Sequence, residues 1–306
     1  MELKKIKNFN EWHNLVSNSE NYNLFSSPNF LDGLSCPYDF FIVEENNNPL
    51  LASIVFKKHK SYEKFFFQDF NYNQGIYFLV KKKNKQFEAL EFFIKEISAK
   101  FDYLRFSLNY NLKDVRPFQW YDYPESKFKI NIVYSSILNL TNFNSQEEIK
   151  SNMRYSRRRE LKLFDKSDFK IIISDDYENF IKNYNINYKG IIDKFVLDTH
   201  SKLILNSKKK KFSRLNIIKK KDKTFGATIF YFDKKTAFYA FSFFKKNKEA
   251  LFSITTPLIY EQINFFYNKG IKYIDFLGVN SPGRGDYKES FGGDLVNFYE
   301  LNYSKL

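Results

Sequence analysis

The sequence predicts an α+β fold made of two copies of one mixed α/β unit. Helical and strand-like patterns interleave along all 306 residues, which is long enough for two medium-sized domains. Hydrophobic residues make up 43% of the chain, enough to fill real cores. The two halves also repeat the same order of elements, and a long internal period of this kind indicates duplication of a structural unit.

The first half begins with a predicted helix over residues 8–20. A second helix starts at Ser27 as N-cap, with Pro28 at the first helical position. Apolar residues at three- and four-residue spacing between 87 and 97 predict a longer helix that ends near residue 100. The predicted strands of this half are 38–44, 50–57, 64–70, 101–108 and 129–140, with a turn at 46–49 and a loop at 109–130.

The second half opens on a predicted capping box, in which Ser145 and Glu148 satisfy reciprocal backbone N–H groups. That helix runs to about residue 164. Thr256 and Pro257 mark the start of a later helix over residues 257–269, as cap and first helical residue. The remaining predictions are helices at 176–205, a charged turn at 208–211, and strands at 170–174, 212–219, 224–232, 236–243, 271–277 and 298–303.

The duplication is clearest where each half ends. An apolar-striped helix leads to residues 101–108 in the first half and to residues 271–278 in the second. The copies differ, because Arg105 stands where the second copy has Asp275, and the first copy lacks the glycine-rich stretch described below. We therefore expect any chemistry in or beside the second copy. Chance similarity within a compositionally biased sequence is the alternative explanation.

Composition narrows the class of partner only weakly. The net charge is +14, from 49 Lys and Arg against 35 Asp and Glu. This balance favours anionic partners such as nucleic acid, nucleotides, and phosphorylated or lipid-linked substrates. A lysine-rich genome would give the same excess, so the charge permits such partners without selecting one.

Several classes of protein are disfavoured by what the sequence lacks. The one cysteine, Cys36, excludes an internal disulfide and a cysteine zinc cluster. His13, His59 and His200 are too scattered to predict a metal site, and His200 is expected to be structural. No run approaches the roughly 18 apolar residues of a membrane span, and the N-terminus has no apolar signal region. The expectation is a cytoplasmic protein.

One stretch stands apart from the rest of the chain. Residues 278–293 hold five of the ten glycines, where a backbone needs positive φ or close approach. The stretch follows an apolar strand and carries Arg284, Asp286 and Lys288. We interpret it as a loop that forms the wall of a binding site. An ordinary connection between strands is the alternative, since glycine also marks simple turns.

Three features together resemble a known family. They are the basic helix Asn-Met-Arg-Tyr-Ser-Arg-Arg-Arg-Glu-Leu-Lys at 152–162, the strand ending Tyr-Ile-Asp-Phe-Leu-Gly at 273–278, and Tyr-Lys-Glu-Ser-Phe-Gly-Gly at 287–293. The last is similar to a short aromatic-Lys-x-x-Phe-Gly motif. The chain resembles the Fem-type (FemAB, peptidoglycan interpeptide bridge) transferases and their acetyltransferase-like relatives, which are tandem GNAT-fold proteins. The resemblance spans about residues 20–305, with motifs in the second half.

The resemblance implies two tandem GNAT-like domains, each a mixed, mostly antiparallel sheet flanked by helices. Residues 1–140 would form a degenerate N-terminal domain, and residues 141–306 would carry the active site. The implied reaction is N-acyl transfer, from acyl-CoA or from aminoacyl-tRNA, to an amino group of a cell-envelope or glycan precursor. The acceptor would be a small molecule, glycan or peptide of anionic character, and tRNA is a possible partner.

This sequence departs from the pattern of those relatives at two points. The Arg/Gln-x-x-Gly-x-Gly/Ala loop that cradles the CoA pyrophosphate in typical GNAT enzymes is missing before the helix at 257–269. The long antiparallel helical arm of some Fem enzymes is not evident either. The first departure counts against acyl-CoA, and the second counts mildly against a tRNA-binding arm, so both donors stay open.

Direct acyl transfer to an amine needs deprotonation of the amine, alignment, and stabilisation of an oxyanion. No Ser-His-Asp or Cys-His pattern favours a covalent intermediate. Asp275, inside an apolar strand, is the first catalytic candidate, because burial would raise its pKa and suit it to accept a proton or hold an ammonium group. Lys288 is the second, to stabilise an oxyanion or a phosphate. A structural ion pair and a solvated lysine are the respective alternatives.

Other residues are candidates for substrate binding. Threonines at a helix N-terminus favour anions, arginines of the basic helix suit phosphate or a tRNA backbone, and polar residues of the glycine-rich stretch could contact donor or acceptor. The candidates are Arg284, Asn280, Thr255, Thr256, Arg154, Arg157, Arg158 and Tyr239. Helix capping, a solvated basic face, ordinary loop polarity and, for Tyr239, a place in the core are the alternatives.

A second function class is a non-catalytic binder of RNA or phosphorylated glycan that uses the basic helices. The two hypotheses differ in where charged groups gather. An enzyme should place Asp275, Lys288 and Arg284 around one site. A binder should gather residues 157–159, 208–211 and 219–221 on one exposed face.

Overall fold

The computed structural model describes residues 1–34, 38–56, 75–245 and 249–305. The chain divides into two compact units: Met1–Val133 with Asn297–Leu306, and Tyr134–Val296. The division into domains at residues 1–140 and 141–306 stays a prediction. The C-terminal strand from Asn297 onward, which that prediction placed with the second domain, lies in the first unit.

The first unit carries most of its strands in one antiparallel sheet. Its elements are β1 (Glu2–Ile6), α1 (Phe9–Val16), α2 (Pro28–Leu31), β2 (Tyr38–Glu45), β3 (Asn48–Phe56), β4 (Ile76–Phe78), α3 (Lys83–Lys100), β5 (Tyr103–Ser107) and α4 (Arg116–Trp120). The sheet order is β1-β2-β3-β4. The sequence did not predict β1 or α4, and the predicted strand at 64–70 lies outside the described residues.

The core of this unit is aliphatic and aromatic. The predicted apolar stripe of α3 is confirmed, with Leu90, Ile94 and Ile97 buried against the sheet. The predicted turn between β2 and β3 is also confirmed. Asn46 and Asn47 take left-handed φ values of 52° and 62° there, which asparagine tolerates in a tight hairpin.

The second unit contains the longer strands. Its elements are the end of β6 (Phe128–Asn139), α5 (Gln146–Asn152), α6 (Tyr155–Asp165), β7 (Lys170–Ser174), α7 (Tyr177–Tyr188), α8 (Lys194–Lys209), β8 (Ser213–Lys220), β9 (Lys223–Phe232), β10 (Thr236–Phe244), α9 (Thr255–Asn268), β11 (Tyr273–Asp275), α10 (Pro282–Glu289) and the start of β12 (Asp294–Ser304). No helix within the described ranges has an apolar run long enough to cross a bilayer.

The sheet of the second unit is mixed, as predicted. Its order is β6-β11-β10-β9-β8-β7, and its neighbours are antiparallel except for β10 and β11. The other end of β12 pairs antiparallel with β5 in the first unit. The predicted α+β class, with mostly antiparallel sheets flanked by helices, is therefore confirmed.

The parallel pair β10 and β11 separates early. It is in register for three pairs only, the last joining Phe238 and Asp275, and β10 is irregular between Tyr239 and Phe241. Beyond Asp275 the chain leaves β10 but continues to bond to β6, through Phe276 N–H to Ser136 O at 2.9 Å. We call this place, where β10 and the chain after β11 diverge, the β10–β11 opening.

Three local predictions for the second unit need correction. The helix expected over 145–164 is two helices, broken at Met153 and Arg154. Ser145 does accept the N–H of Glu148 at 3.2 Å, but the Glu148 carboxylate accepts the N–H of Asn144 at 2.8 Å rather than that of the cap. The glycine-rich stretch is not all loop, because α10 occupies half of it. Its glycines masked the helical pattern.

A buried histidine gives this unit a predictable response to acid. His200 of α8 is 2% exposed, and its Nδ1 lies 3.0 Å from the Tyr184 hydroxyl. Burial lowers the pKa of His200 from 6.5 to about 3. The unfolded chain therefore binds a proton below about pH 6.5 that the folded chain refuses, and stability is lost as the pH falls from there towards the folded pKa.

We expect the free energy of unfolding to fall by about 2 kcal/mol more between about pH 7 and pH 5 in the wild type than in His200→Gln. Urea unfolding at the two pH values measures this difference. His13→Gln removes an exposed histidine and should keep the wild-type dependence. Parallel behaviour of the wild type and His200→Gln would contradict the assignment.

Candidate functional site

Asp275 lies buried at the end of β11, with 1% of its surface exposed. Its Oδ1 accepts two hydrogen bonds, from the Ser135 hydroxyl at 2.5 Å and from the Leu277 N–H at 2.8 Å. Its Oδ2 is buried and has no hydrogen-bond partner among the described residues. Burial raises the pKa of Asp275, and the two hydrogen bonds and the charge of Lys288 oppose that rise. The carboxyl is thus held by one oxygen and has a free acceptor on the other.

Lys288 of α10 reaches the chain just after Asp275. Its Nζ donates to the carbonyl oxygens of Leu277 at 3.0 Å and Gly278 at 3.1 Å, and the residue is 9% exposed. Burial lowers the pKa of Lys288 to about 8, the charge of Arg284 lowers it further, and Asp275 raises it. Physiological pH therefore lies close to the pKa of Lys288, with the ammonium form in excess.

Local backbone geometry brings these two side chains together. Leu277 has a left-handed φ of 53°, an uncommon conformation for a bulky residue. It turns the chain so that its N–H meets Asp275 while its carbonyl meets Lys288. Gly285 lets α10 pack closely, because a Cβ there would overlap the carbonyl oxygen of Val279. Gly285 lies in the stretch that the sequence singled out, and Leu277 immediately precedes that stretch.

Tyr239 and Arg284 complete this group. Tyr239 lies at the irregular point of β10, its hydroxyl donates to Ser242 Oγ at 2.7 Å, and its ring centroid is 5.4 Å from Lys288 Nζ. Burial raises the pKa of Tyr239, and the positive charge of Arg284 opposes that rise. Arg284 is exposed and has no ion pair among the described residues. Four predicted site residues, Asp275, Lys288, Tyr239 and Arg284, thus lie within electrostatic reach at the β10–β11 opening.

A second polar group surrounds the start of α9, and we call it the Tyr287 network. The Tyr287 hydroxyl lies 2.7 Å from Thr255 Oγ1 and 3.0 Å from Thr256 Oγ1. Thr256 donates to Glu160 at 2.6 Å and accepts from Arg157 at 3.0 Å. The Arg157 guanidinium also pairs with Glu160 at 2.8 Å and lies 4.6 Å from the Tyr287 ring centroid.

The predicted capping role of Thr256 is wrong. The helix α9 already includes Thr255, its N-cap is Ile254, and no side chain caps it. Pro257 is accordingly the third helical residue rather than the first. The hydroxyl of Thr256 is used by the Tyr287 network instead, where it donates to Glu160 and accepts from Arg157. A substrate-binding role of Thr255, Thr256 and Arg157 stays a prediction, with their polar groups engaged inside the protein.

The other three candidates lie outside both groups of contacts. Arg154 pairs with Asp286 of α10. The Asn280 side-chain amide makes two hydrogen bonds to the backbone of Tyr134. Its Oδ1 accepts the Tyr134 N–H at 2.8 Å, and its Nδ2 donates to the Tyr134 carbonyl oxygen at 3.2 Å. Arg158 is half-buried, and its Nε has no hydrogen-bond partner among the described residues. The Asn280 side chain thus continues the hydrogen bonding to β6, which is a structural role.

Sequence reasoning did not assign three residues that matter here. Tyr287 was quoted in the family motif but given no role. Glu160 lies three residues after Arg157, a spacing that predicts contact on a helix, and so had a readable signal. Ser135 had none, because a serine in a strand does not reveal which side chain it meets.

No protein-family model matches the chain, and no curated protein sequence matches it either. Solved structures do. The crystal structure of FemX matches with a TM-score of 0.69 at 12% identity, covering 99% of this chain and 97% of FemX. A tandem GNAT protein from the clavulanic acid biosynthesis pathway matches with a TM-score of 0.61 at 7% identity, covering 100% and 98%.

A third match is the C-terminal domain of a putative lysylphosphatidylglycerol synthetase from Agrobacterium fabrum, with a TM-score of 0.56 at 9% identity and coverage of 97% and 91%. These identities are low, so the matches establish the fold. The chain has the tandem GNAT fold, as its motifs predicted, and its fold is that of FemX.

The close packing of α10 can be tested with two glycines of one helix. Gly285→Ala should destabilise the protein by about 1 to 3 kcal/mol, as overpacking does, because the added methyl group meets the Val279 carbonyl. Gly283→Ala is the matched control, since nothing lies within 4 Å of a Cβ there. Denaturant unfolding of both variants measures the difference, and equal stabilities would contradict the packing described.

Proposed function

We propose that the protein is an N-acyltransferase whose active site is the β10–β11 opening. The observation that carries this proposal is the buried pair of Asp275 and Lys288, a carboxyl with a raised pKa beside an amine with a lowered pKa. Titratable groups whose environments shift their pKa values are typical of catalytic sites. The tandem GNAT fold supports the same class, since a GNAT-family acetyltransferase from Colwellia psychrerythraea is also among its structural matches.

Asp275 would receive the proton of the attacking amine. The hydrogen bonds from Ser135 and Leu277 fix Oδ1, which leaves Oδ2 to accept the proton that the neutral acceptor amine loses. A raised pKa makes the carboxylate a better base than a solvated one. The amine nitrogen then forms a bond to the acyl carbon, and its displaced proton goes to Oδ2.

Lys288 would stabilise the oxyanion of the tetrahedral intermediate. Two of its three protons are held by the carbonyls of Leu277 and Gly278, so the third is available to the reacting acyl group. When the intermediate collapses, the bond between the acyl carbon and its carrier breaks. The leaving sulfur or oxygen takes up a proton, and Lys288 with a pKa of about 8 is a suitable donor.

The donor in this proposal is an activated acyl ester on an anionic carrier, either acyl-CoA or aminoacyl-tRNA. The acceptor is an amino group of a cell-envelope or glycan precursor, and the protein would act in the cytoplasm. Support comes from the net charge of +14 and from Arg284, an exposed cation without an ion pair within the described ranges. One match, the tandem GNAT protein, is described without AcCoA, which supports acyl-CoA as one of the two donor classes.

A non-catalytic binder of RNA or phosphorylated glycan is not favoured by any contact. Some of the basic side chains that it would use, Arg157, Lys208 and Lys220 among them, are engaged in ion pairs. Arg154 pairs with Asp286, and Arg157 with Glu160. Lys208 pairs with Asp175, and Lys220 with Glu249.

Asp275→Asn should lower acyl transfer by at least about 100-fold, the usual contribution of a general base. Asparagine keeps the Oδ1 acceptor for Ser135 and Leu277, so the fold should survive. Transfer is measured by mass spectrometry of amine acceptors incubated with acyl-CoA or with aminoacyl-tRNA, beside thermal unfolding. Asp294→Asn, an exposed carboxylate on β12, is the control. Full activity of Asp275→Asn with either donor would contradict the assigned role.

The rate should also depend on the charge of Lys288. Because the ammonium form is required, kcat/KM should decline as the pH rises through about 8 in the wild type. Lys288→Arg keeps the charge to higher pH and should move this decline upward, while Lys288→Met should lose most activity at every pH. The pH profiles of the three proteins measure this. An unchanged alkaline limb in Lys288→Arg would contradict the assignment.

A further inference from the structure

The outermost strand of the second unit has an open edge. The strand β7 pairs antiparallel with β8 along one side, and the sheet order ends at β7, so no described strand pairs with its other side. Within the described ranges, no backbone hydrogen bond joins residues 170–174 to any part of the chain other than β8. An edge of this kind is a template for pairing with a strand of another molecule.

The side chains of β7 do little to protect this edge. Native proteins blunt exposed edges with central lysines, prolines or bulges. The one lysine of β7 stands at its first residue, and the ladder with β8 runs through five pairs without a bulge. The centre of the strand is three isoleucines. Ile171 packs against the core, but Ile172 is 40% exposed and Ile173 is 67% exposed. The centre of the edge is therefore apolar and accessible.

The sequence of β7 matches a reversed copy of itself. When two identical strands pair antiparallel about a two-fold axis, the axis must pass between one residue and its own copy, because opposed side chains share a face of the sheet. With the axis at Ile172, that residue opposes itself, and Ile171 opposes Ile173 of the second copy. Three isoleucines thus meet three isoleucines, and β-branched side chains suit such a ladder.

The charges at the two ends of β7 are opposite in sign. Lys170 begins the strand, and Asp176 lies two residues beyond its end. In the register centred on Ile172, Lys170 opposes Ser174 of the second copy and lies diagonally beside Asp176 of that copy, within reach of a long side chain. Neither Lys170 nor Asp176 has an ion-pair partner in the described part of the chain. Asp168 lies in the bend that precedes β7, outside its ladder with β8.

We infer that β7 pairs with β7 of a second copy of this chain, antiparallel about Ile172. A second copy fits this edge because both the apolar centre and the charged ends of the strand complement themselves. A five-residue strand buries little surface, so we expect a weak dimer that forms as the concentration rises. The inference does not rest on the proposed transferase function, since it concerns association and needs no turnover.

The test is sedimentation velocity of the full chain from about 1 µM to about 500 µM, the range expected for so small an interface. We expect a reversible equilibrium between monomer and dimer. Ile173→Lys should weaken association by at least about tenfold, because a charge at the centre of an edge opposes strand pairing. Ile186→Lys is the matched control, since Ile186 is also 67% exposed but lies on α7. Thermal unfolding shows whether both variants are folded.

Disulfide cross-linking tests the register independently. In a chain whose one cysteine, Cys36, is replaced by serine, Ile172→Cys places two thiols opposite each other across the two-fold axis, at a separation that a disulfide spans. Ile173→Cys instead places each thiol opposite an isoleucine. We expect mild oxidation to yield covalent dimers of the first variant and few of the second.

Three results would each overturn the inference. The first is a chain that stays monomeric at every concentration, which would leave the edge to a strand of another protein. The second is a dimer that Ile173→Lys weakens no more than Ile186→Lys does. The third is equal cross-linking of Ile172→Cys and Ile173→Cys.

Discussion

The contact on which the candidate site depends is the turn at Leu277. Its N–H binds the Asp275 carboxylate, and its carbonyl binds the Lys288 ammonium group. One residue in left-handed conformation therefore fixes two buried charges of opposite sign. Each charge alone would be costly to bury. Part of that cost is offset by the attraction between the two charges, by the hydrogen bond from Ser135 and by the carbonyls around Lys288. Burial nevertheless keeps both pKa values away from their ordinary values.

The two copies of the repeated unit have diverged in complementary ways. In the second unit, the start of α9 is closed by Tyr287 and Arg157, and the ionisable pair lies beside it at the β10–β11 opening. In the first unit, Arg105 replaces the aspartate and is paired with Glu300 at 2.9 Å.

Much of this could be predicted from the sequence. Apolar periodicity gave α3 and α9, and a carboxylate inside an apolar strand pointed to Asp275. Other features could not be predicted because they depend on contacts between residues that are far apart in the sequence. The helix α10 was hidden by its glycines, of which Gly285 is required by the close approach of the Val279 carbonyl. Thr256 of α9 was interpreted as a cap, since its partner Glu160 lies 96 residues away in sequence. Nothing local revealed Ser135.

The central claim is that Lys288 is a buried amine whose pKa is lowered by burial to about 8, with Asp275 opposing that decrease. It is tested most directly by NMR titration of the protein labelled in its lysine side chains, with Lys288→Arg used for assignment. The account predicts that Lys288 titrates near pH 8, well below the exposed lysines, and lower still in Asp275→Asn. Titration of Lys288 together with the exposed lysines, unaffected by Asp275→Asn, would contradict it.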